Sequence, residues 1–430
     1  MNIGILKQKN FSILMLGKIT SYIGTEMQNF ALSLYVFKIT GSATKFASVL
    51  AITLIPKLIL GPIAGVFVDW LDRKKILVYL DILAALVVGA YAAGFAITGG
   101  LSLASIYVLV VLLSLISLLF QPAIGAVIPS IVEKDKLVDA NGINSLLISI
   151  GTFVSPVLAG VLFGLYGLFV MLIIDSISFI VSAICEFVIT IPKVNKAPSE
   201  ISFKSFFNDF SEGLKFVKSK KLILNILFLA LFLNFAADPV FSVGLVYIAK
   251  KILFLSDFQY GTIQSGFVVA MMIALFFCSG IIKKFETGKL IFLCFIVNSF
   301  VFALLAVVPA PFYIKLFNSN TVPYISIIVV TFMIGLIITM ANITLNTVFQ
   351  KEIPLDMLGR AGTLMSTVSM GAMPLGTMLF GFLFDKLPAY LCILISAATM
   401  LTATIVLRKG LYSVNEKPVG NSVPEAADIY

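Results

Sequence analysis

No histidine occurs anywhere in the chain, which removes His-based catalytic triads, most transition-metal sites and the side chain most used to shuttle protons near neutral pH. Cysteine is scarce: Cys185, Cys278, Cys294 and Cys392 all fall inside apolar stretches without paired spacing, so neither a disulfide framework nor a zinc site is suggested. No GxxxxGK[ST] phosphate loop is present, which excludes a P-loop ATPase carried by the chain itself. Charged residues make up only 12%, far below the soluble range. Alternating segments of about ten residues, the mark of a membrane barrel, are missing. No enzyme chemistry, metal or cofactor is expected.

What fills the space is hydrocarbon: 60% of 430 residues are hydrophobic. At roughly 20 residues per crossing, twelve apolar windows lie between residues 12 and 407, predicting an all-α membrane protein of twelve helices. The first window is too long for the apolar core of a signal peptide and is read as a retained helix. With both ends in the cytoplasm, 22 of the 30 Lys and Arg fall on the inner side and 6 on the outer, the bias that the positive-inside rule demands. The net charge of +9 is therefore a topology signal and not a nucleic-acid one, and the expected location is a bacterial cytoplasmic membrane.

Internal similarity divides the chain. Residues 128–164 resemble 347–382, with Pro156 falling on Pro374, and 65–75 echo 280–290. Two parallel six-helix bundles related by pseudo-two-fold symmetry account for both: an N-terminal bundle over 1–191, a cytoplasmic linker over 192–221, a C-terminal bundle over 222–410 and a mobile tail over 411–430. In the linker Phe203, Phe206, Phe207, Phe210, Leu214 and Val217 recur at helical spacing opposite charged residues, predicting an amphipathic helix.

Charge is dense and patterned between the second and third spans, in Gly65-Val66-Phe67-Val68-Asp69-Trp70-Leu71-Asp72-Arg73-Lys74-Lys75. A carboxylate at the end of its own helix opposes that helix's dipole, so Asp69 is expected to answer the positive N-terminus of a neighbour. This segment resembles the signature of the major facilitator superfamily, within it the drug-efflux and especially the macrolide-efflux branch. Gly65, Asp69, Arg73 and Lys74 match, whereas Trp70 and Asp72 depart from the usual residues. The resemblance implies a conformational latch in which Asp69 faces the segment at Gly359-Arg360 and Asp81 partners Arg73 or Lys74. Arg73 and Arg360 are two of three arginines against 27 lysines, and a planar, bidentate donor is harder to replace than a point charge.

A second resemblance lies in the fifth span, where Gly142, Gly151, Ser155, Pro156, Ala159 and Gly160 follow the spacing of the exporters' antiporter motif, with Ser155 and Ala159 standing where glycine is usual. Gly151, Ser155 and Ala159 form a four-residue ladder that lets another helix approach, and Pro156 frees a carbonyl and permits a bend. Phe120-Gln121-Pro122-Ala123, Ala140-Asn141 and Ile174-Asp175-Ser176 are similar to further family stretches. The arginine that many proton-coupled members carry in the fourth span has no counterpart, because no basic residue occurs between Leu101 and Ile131.

Ionisable residues at membrane depth are costly and are functional candidates by default. Here they are Glu26, Lys57, Asp175 and Asp238; Glu186 reads as interfacial. Glu26 and Asp238 stand one repeat apart and are candidates for exchanging a proton against a cationic or amphiphilic substrate, with Lys57 tuning one carboxylate. If the first, seventh and tenth spans face inward as in the family, Asn29, Tyr35, Asn234, Phe241 and Asn342 line the cavity. The expected function is a proton-coupled secondary exporter of drug-like amphiphiles such as macrolides, working by alternating access as a monomer. The alternatives are an exporter or flippase for a metabolite, siderophore or lysophospholipid, or a non-transporting sensor or scaffold.

Overall fold

The computed structural model describes residues 3–70, 72–133, 136–191, 211–212, 214–282, 285–317, 319–353 and 358–412. These form α1 (Lys9–Thr40), α2 (Ala43–Trp70), α3 (Arg73–Thr98), α4 (Leu103–Ile131), α5 (Leu137–Val188), α6 (Lys221–Ile252), α7 (Asp257–Ile282), α8 (Thr287–Val307), α9 (Thr321–Glu352), α10 (Leu358–Lys386) and α11 (Ala389–Val406). The most of the linker that carries Phe203 to Phe210, and the tail from residue 413, lie outside the described residues. The described end of the linker is helical, and Val217 packs fully buried against Ile223, Ile353 and Leu364.

Ten helices among the described residues are long and apolar enough to cross a membrane. The difference from the expected twelve has two sources. α1 spans 32 residues but carries Lys18, Glu26 and several polar side chains along its length. α5 contains two helical arms that meet at Gly167, whose φ of 70° and ψ of −167° no helix accommodates; a side chain at that backbone would be strained, so glycine supplies the turn. The direction of the chain reverses there without a loop.

Helix ends follow ordinary chemistry. Gly41 and Gly99 close α1 and α3 in the left-handed region, the standard C-terminal stop. Asp72 begins α3, its carboxylate accepting from the amides of Lys74 at 3.0 Å and Lys75 at 3.2 Å, and Ser102 caps α4. α6 is irregular after Pro239, with π-helical stretches at Val240–Gly244 and Ile248–Ile252, and such bulges concentrate where a helix bends or works.

α1 packs along α5, α3 lies against both α4 and α5, and α2 pairs with α4. In the second half α7 and α8 flank α9, while α6 and α8 contact α10 and α11 respectively. The halves meet where α2 touches α10 and where α5 touches α7. Large apolar side chains such as Leu86, Phe187, Phe276 and Leu375 remain exposed, as they must on helices whose solvent is lipid.

Candidate functional site

Inside the first half α1, α2, α3, α4 and α5 enclose a cavity of about 370 Å³. α1 lines it with Lys18, Tyr22, Thr25, Glu26 and Asn29, α2 with Lys57, α3 with Asp81, and α4 with Ser117 and Gln121. Glu26 and Lys57 thus share one small space, while Asp238, the other carboxylate that Lys57 was expected to tune, is not on its wall; no hydrogen bond or ion pair between Glu26 and Lys57 is found among the described residues. Lys18 instead donates to Asn144 Oδ1 at 2.5 Å, and the Tyr22 hydroxyl bonds Thr152 Oγ1 at 2.8 Å.

A row of carboxylates stands behind the cavity wall. Asp175 is fully buried, with one oxygen accepting from Ser178 at 3.2 Å and from Thr25 at 3.5 Å and the other unpartnered. Asp81, 2% exposed, reaches from α3 toward Ser182 and Glu186 and also feels Asp175. Glu186, expected at the membrane interface, lies near the end of α5 and is 1% exposed, packed against its neighbours. Lys74, expected beside Asp81, lies instead with its Nζ 5.4 Å from the centre of the Phe187 ring, and Arg73 opens the same helix. Gly24 makes the arrangement possible, because a Cβ there would meet the Ser178 hydroxyl and lie 2.7 Å from Asp175 Oδ1.

The motif of the fifth span turns out to face two ways. A Cβ on Gly151 would lie 2.6 Å from the Tyr22 ring of α1, and Ser155 Oγ donates to the Ile23 carbonyl at 3.4 Å. On the other side a Cβ on Gly160 would lie 2.6 Å from the Asp257 carbonyl of α7, and the Pro156 carbonyl abuts Gly261. Ala159 is completely buried and Gly142 half-buried. The ladder therefore brings α5 close to its own half and to the other half at once.

Other expected residues are dispersed. The Tyr35 hydroxyl is not in the cavity; it accepts from the Leu101 amide at 2.8 Å and ties α1 to the α3–α4 connection. Phe241 packs against Phe267 and Phe302 in the second half, at 4.8 and 5.6 Å between ring centres. Asn234 and Asp238 are half-buried on α6, and Asn342 is exposed on α9. The backbone places Gly65, Asp69 and Arg360 near the ends of α2 and α10, whereas their side chains, with those of Gly359 and Cys278, lie outside the described residues.

One constellation escaped the sequence reading. Asp385, near the end of α10, accepts from Ser42 Oγ at 2.6 Å, from the Ala43 amide at 2.9 Å, and from the Thr44 amide and hydroxyl at 2.9 and 2.6 Å. A carboxylate of one half thereby caps the first turn of α2 in the other, where the helix dipole favours an anion. Around it Gly381 lets α10 approach Ala43 and Ala47, Lys251 Nζ donates to the Gly41 carbonyl at 3.3 Å, and Phe30 stacks on Tyr260 at 5.0 Å. Tyr247 bridges Phe37 and Phe384. All these contacts close the face opposite the N-terminus. The signal available beforehand was Ser42-Ala43-Thr44, a helix start with no acid of its own nearby.

Residues 2–423 match the family described as transmembrane secretion effector. Macrolide efflux protein A of Streptococcus pyogenes is 24% identical over 395 residues, 91% of this chain and 93% of that protein. Among solved structures, a bacterial homologue of the iron transporter ferroportin in its inward-facing state superposes with a TM-score of 0.70 at 17% identity, covering 95% of this chain and 99% of that one. A homologue so described in the outward-facing state gives 0.57 at 18% identity, over 95% and 100%.

Proposed function

The chain belongs to the transmembrane secretion effector family of the major facilitator superfamily, and from that membership we propose that it is a secondary active, proton-coupled exporter of bulky amphiphilic compounds such as macrolides. The observation that carries the reading is the cavity of about 370 Å³ with Glu26, Lys57 and Asp81 on its wall. Charges held in an otherwise apolar bundle are costly without a use, and a space whose wall mixes many polar and charged side chains with apolar ones such as Val110, Leu113, Ile116, Phe120 and Phe179 suits an amphiphile. The likeness to a macrolide efflux protein along nearly the whole length supports the substrate class.

Transport proceeds by alternating access between two bundles, with α1 counted as a crossing and α5 as two, and with both termini in the cytoplasm. The contacts of Asp385, Gly160 and Gly261 close the outer face, so this conformation opens inward. Asp69, Arg73, Lys74 and Arg360 form the opposing latch when the inner face closes. Glu26 carries the exchanged proton, Lys57 holds it in register with substrate, and the row Asp81, Asp175 and Glu186 lies along the same route. Asp238 is the second-half counterpart.

The test is efflux of erythromycin from proteoliposomes under an imposed pH gradient. Wild type exports only with the gradient, and Glu26→Gln exchanges substrate down its own gradient without responding to pH. Gradient-driven export that survives in Glu26→Gln removes this residue from coupling. No erythromycin movement by wild type removes macrolides as the substrate.

A further inference from the structure

On the outer flank of the first half, α3 and the arm of α5 after Gly167 run side by side and leave an apolar groove of about 660 Å³. Small residues, Ala85, Gly89 and Ala183, form its floor. Its walls include Leu86, Ile184 and Phe187, which are 65%, 58% and 69% exposed. The one polar residue along it, Ser176, donates its hydroxyl to the Ala85 carbonyl at 2.9 Å. The groove thus offers no open hydrogen-bonding group and asks for an occupant that is hydrocarbon throughout its length.

Length narrows the choice. From Val78 to Ala90 the groove follows α3 for about 18 Å at 1.5 Å per residue, close to the ~15 Å hydrocarbon depth of one leaflet. Charge narrows it again, because the end of the groove toward the N-terminal face meets the start of α3, Arg73-Lys74-Lys75. Lys74 Nζ sits over Phe187, itself a wall of the groove. Lys75 is exposed and lies on the helical stripe that continues through Val78, Ile82 and Leu86. Asp72, the acid nearest in sequence, accepts hydrogen bonds from the Lys74 and Lys75 backbone amides, and among the described residues no ion pair engages either ammonium group.

We propose that this groove binds an anionic phospholipid, with one acyl chain lying between α3 and α5 and the headgroup phosphate held by Lys74 and Lys75. A hydrocarbon slot one leaflet long that ends in paired ammonium groups is complementary to that ligand at both ends. A zwitterionic lipid offers the same phosphate but pairs it with a cation of its own, so its net attraction to the two lysines is weaker.

Trp70 is the only tryptophan in the chain, so a reporter is readily placed: Phe187→Trp in a Trp70→Phe background, reconstituted at full length in phosphatidylcholine vesicles. Brominated phosphatidylglycerol and brominated phosphatidylcholine are then compared as quenchers at equal mole fraction. The expected result is stronger association of the glycerol lipid, falling about fivefold for each lysine removed in Lys74→Gln and Lys75→Gln. Gly89→Leu, whose side chain enters the floor where an added Cβ meets only the Ser176 hydroxyl at 3.2 Å, lowers quenching by both lipids. Equal quenching by the two lipids in the parent overturns the proposal in favour of unselective annular lipid. Absence of quenching by either overturns it in favour of a protein surface such as a second copy of the chain. A glycerol-lipid preference that persists without both lysines removes the headgroup assignment.

Discussion

Replacing Asp385 by Ala removes all four hydrogen bonds that tie α10 to the first turn of α2. Loss of a helix cap costs about 1 kcal/mol, and loss of a negative charge from a helix N-terminus costs about 0.3–1 kcal/mol more. Ser42 Oγ still accepts from the Lys45 amide at 3.2 Å, so α2 keeps a cap of its own and the penalty falls on the closed state rather than on folding. The closed-to-open ratio at this face therefore drops about eight- to thirtyfold, since each 1.4 kcal/mol is a factor of ten. Single-molecule energy transfer reads the ratio directly. Lys45 and Lys315 are both exposed on this face and lie in different halves, so Lys45→Cys and Lys315→Cys accept the dyes after the native cysteines are replaced. Asp385→Asn, which keeps one acceptor oxygen but no charge, falls between wild type and Asp385→Ala. A distance distribution that is unchanged in Asp385→Ala refutes the assignment of this carboxylate as the tie between halves.

Three further outcomes follow from the packing. Gly24→Ala loses about 1–3 kcal/mol through overpacking, because the new methyl meets Ser178 and Asp175 Oδ1; the melting temperature falls, and Ser178→Gly in the same chain recovers part of it. Gly261→Ala pushes a methyl against the backbone carbonyl of Pro156, which cannot swing aside, so the same dye pair reports more of the open state. Glu26→Gln alone destabilises more than Glu26→Gln combined with Lys57→Gln, since each single change leaves one charge without the other in the cavity; a coupling below about 0.5 kcal/mol in the thermal-unfolding cycle counts against their interaction.

The membrane class was legible because lipid tolerates only long apolar helices, and each described helix from α2 to α11 announces itself by composition, while α1 reads as a crossing despite its polar side chains. The run from Leu137 to Val188 was legible as two spans, 138–164 and 167–191, and the structure turns at Gly167 between them; what composition hides is that the turn takes one residue and no polar loop. The small residues of the fifth span were visible as a ladder, but spacing could not say that Gly151 faces Tyr22 while Gly160 faces Asp257. Asp385 was missed because its partners lie more than 340 residues away, beyond any local pattern. The burial of Glu186 was not legible, since position near a helix end says nothing of how the neighbouring helix covers it. Glu26 and Lys57 were each singled out because charge in a membrane helix is rare enough to be conspicuous by itself, but which carboxylate Lys57 stands near was not legible.

The bend at Gly167 makes α5 behave as a crank. Consecutive Cα atoms are held about 3.8 Å apart, so two arms joined by a single residue cannot separate at that end, however the bundle moves. One arm bears Gly160 against α7 of the opposite half, and the other bears Asp175 and Glu186. A tilt that parts the first arm from α7 therefore leaves its far end tied to the arm that carries Asp175 and Glu186. The two arms share one fixed point, and a flexible Gly-Ser pair inserted at the bend tests whether movement at Gly160 is felt at Asp175 and Glu186 while each arm stays intact.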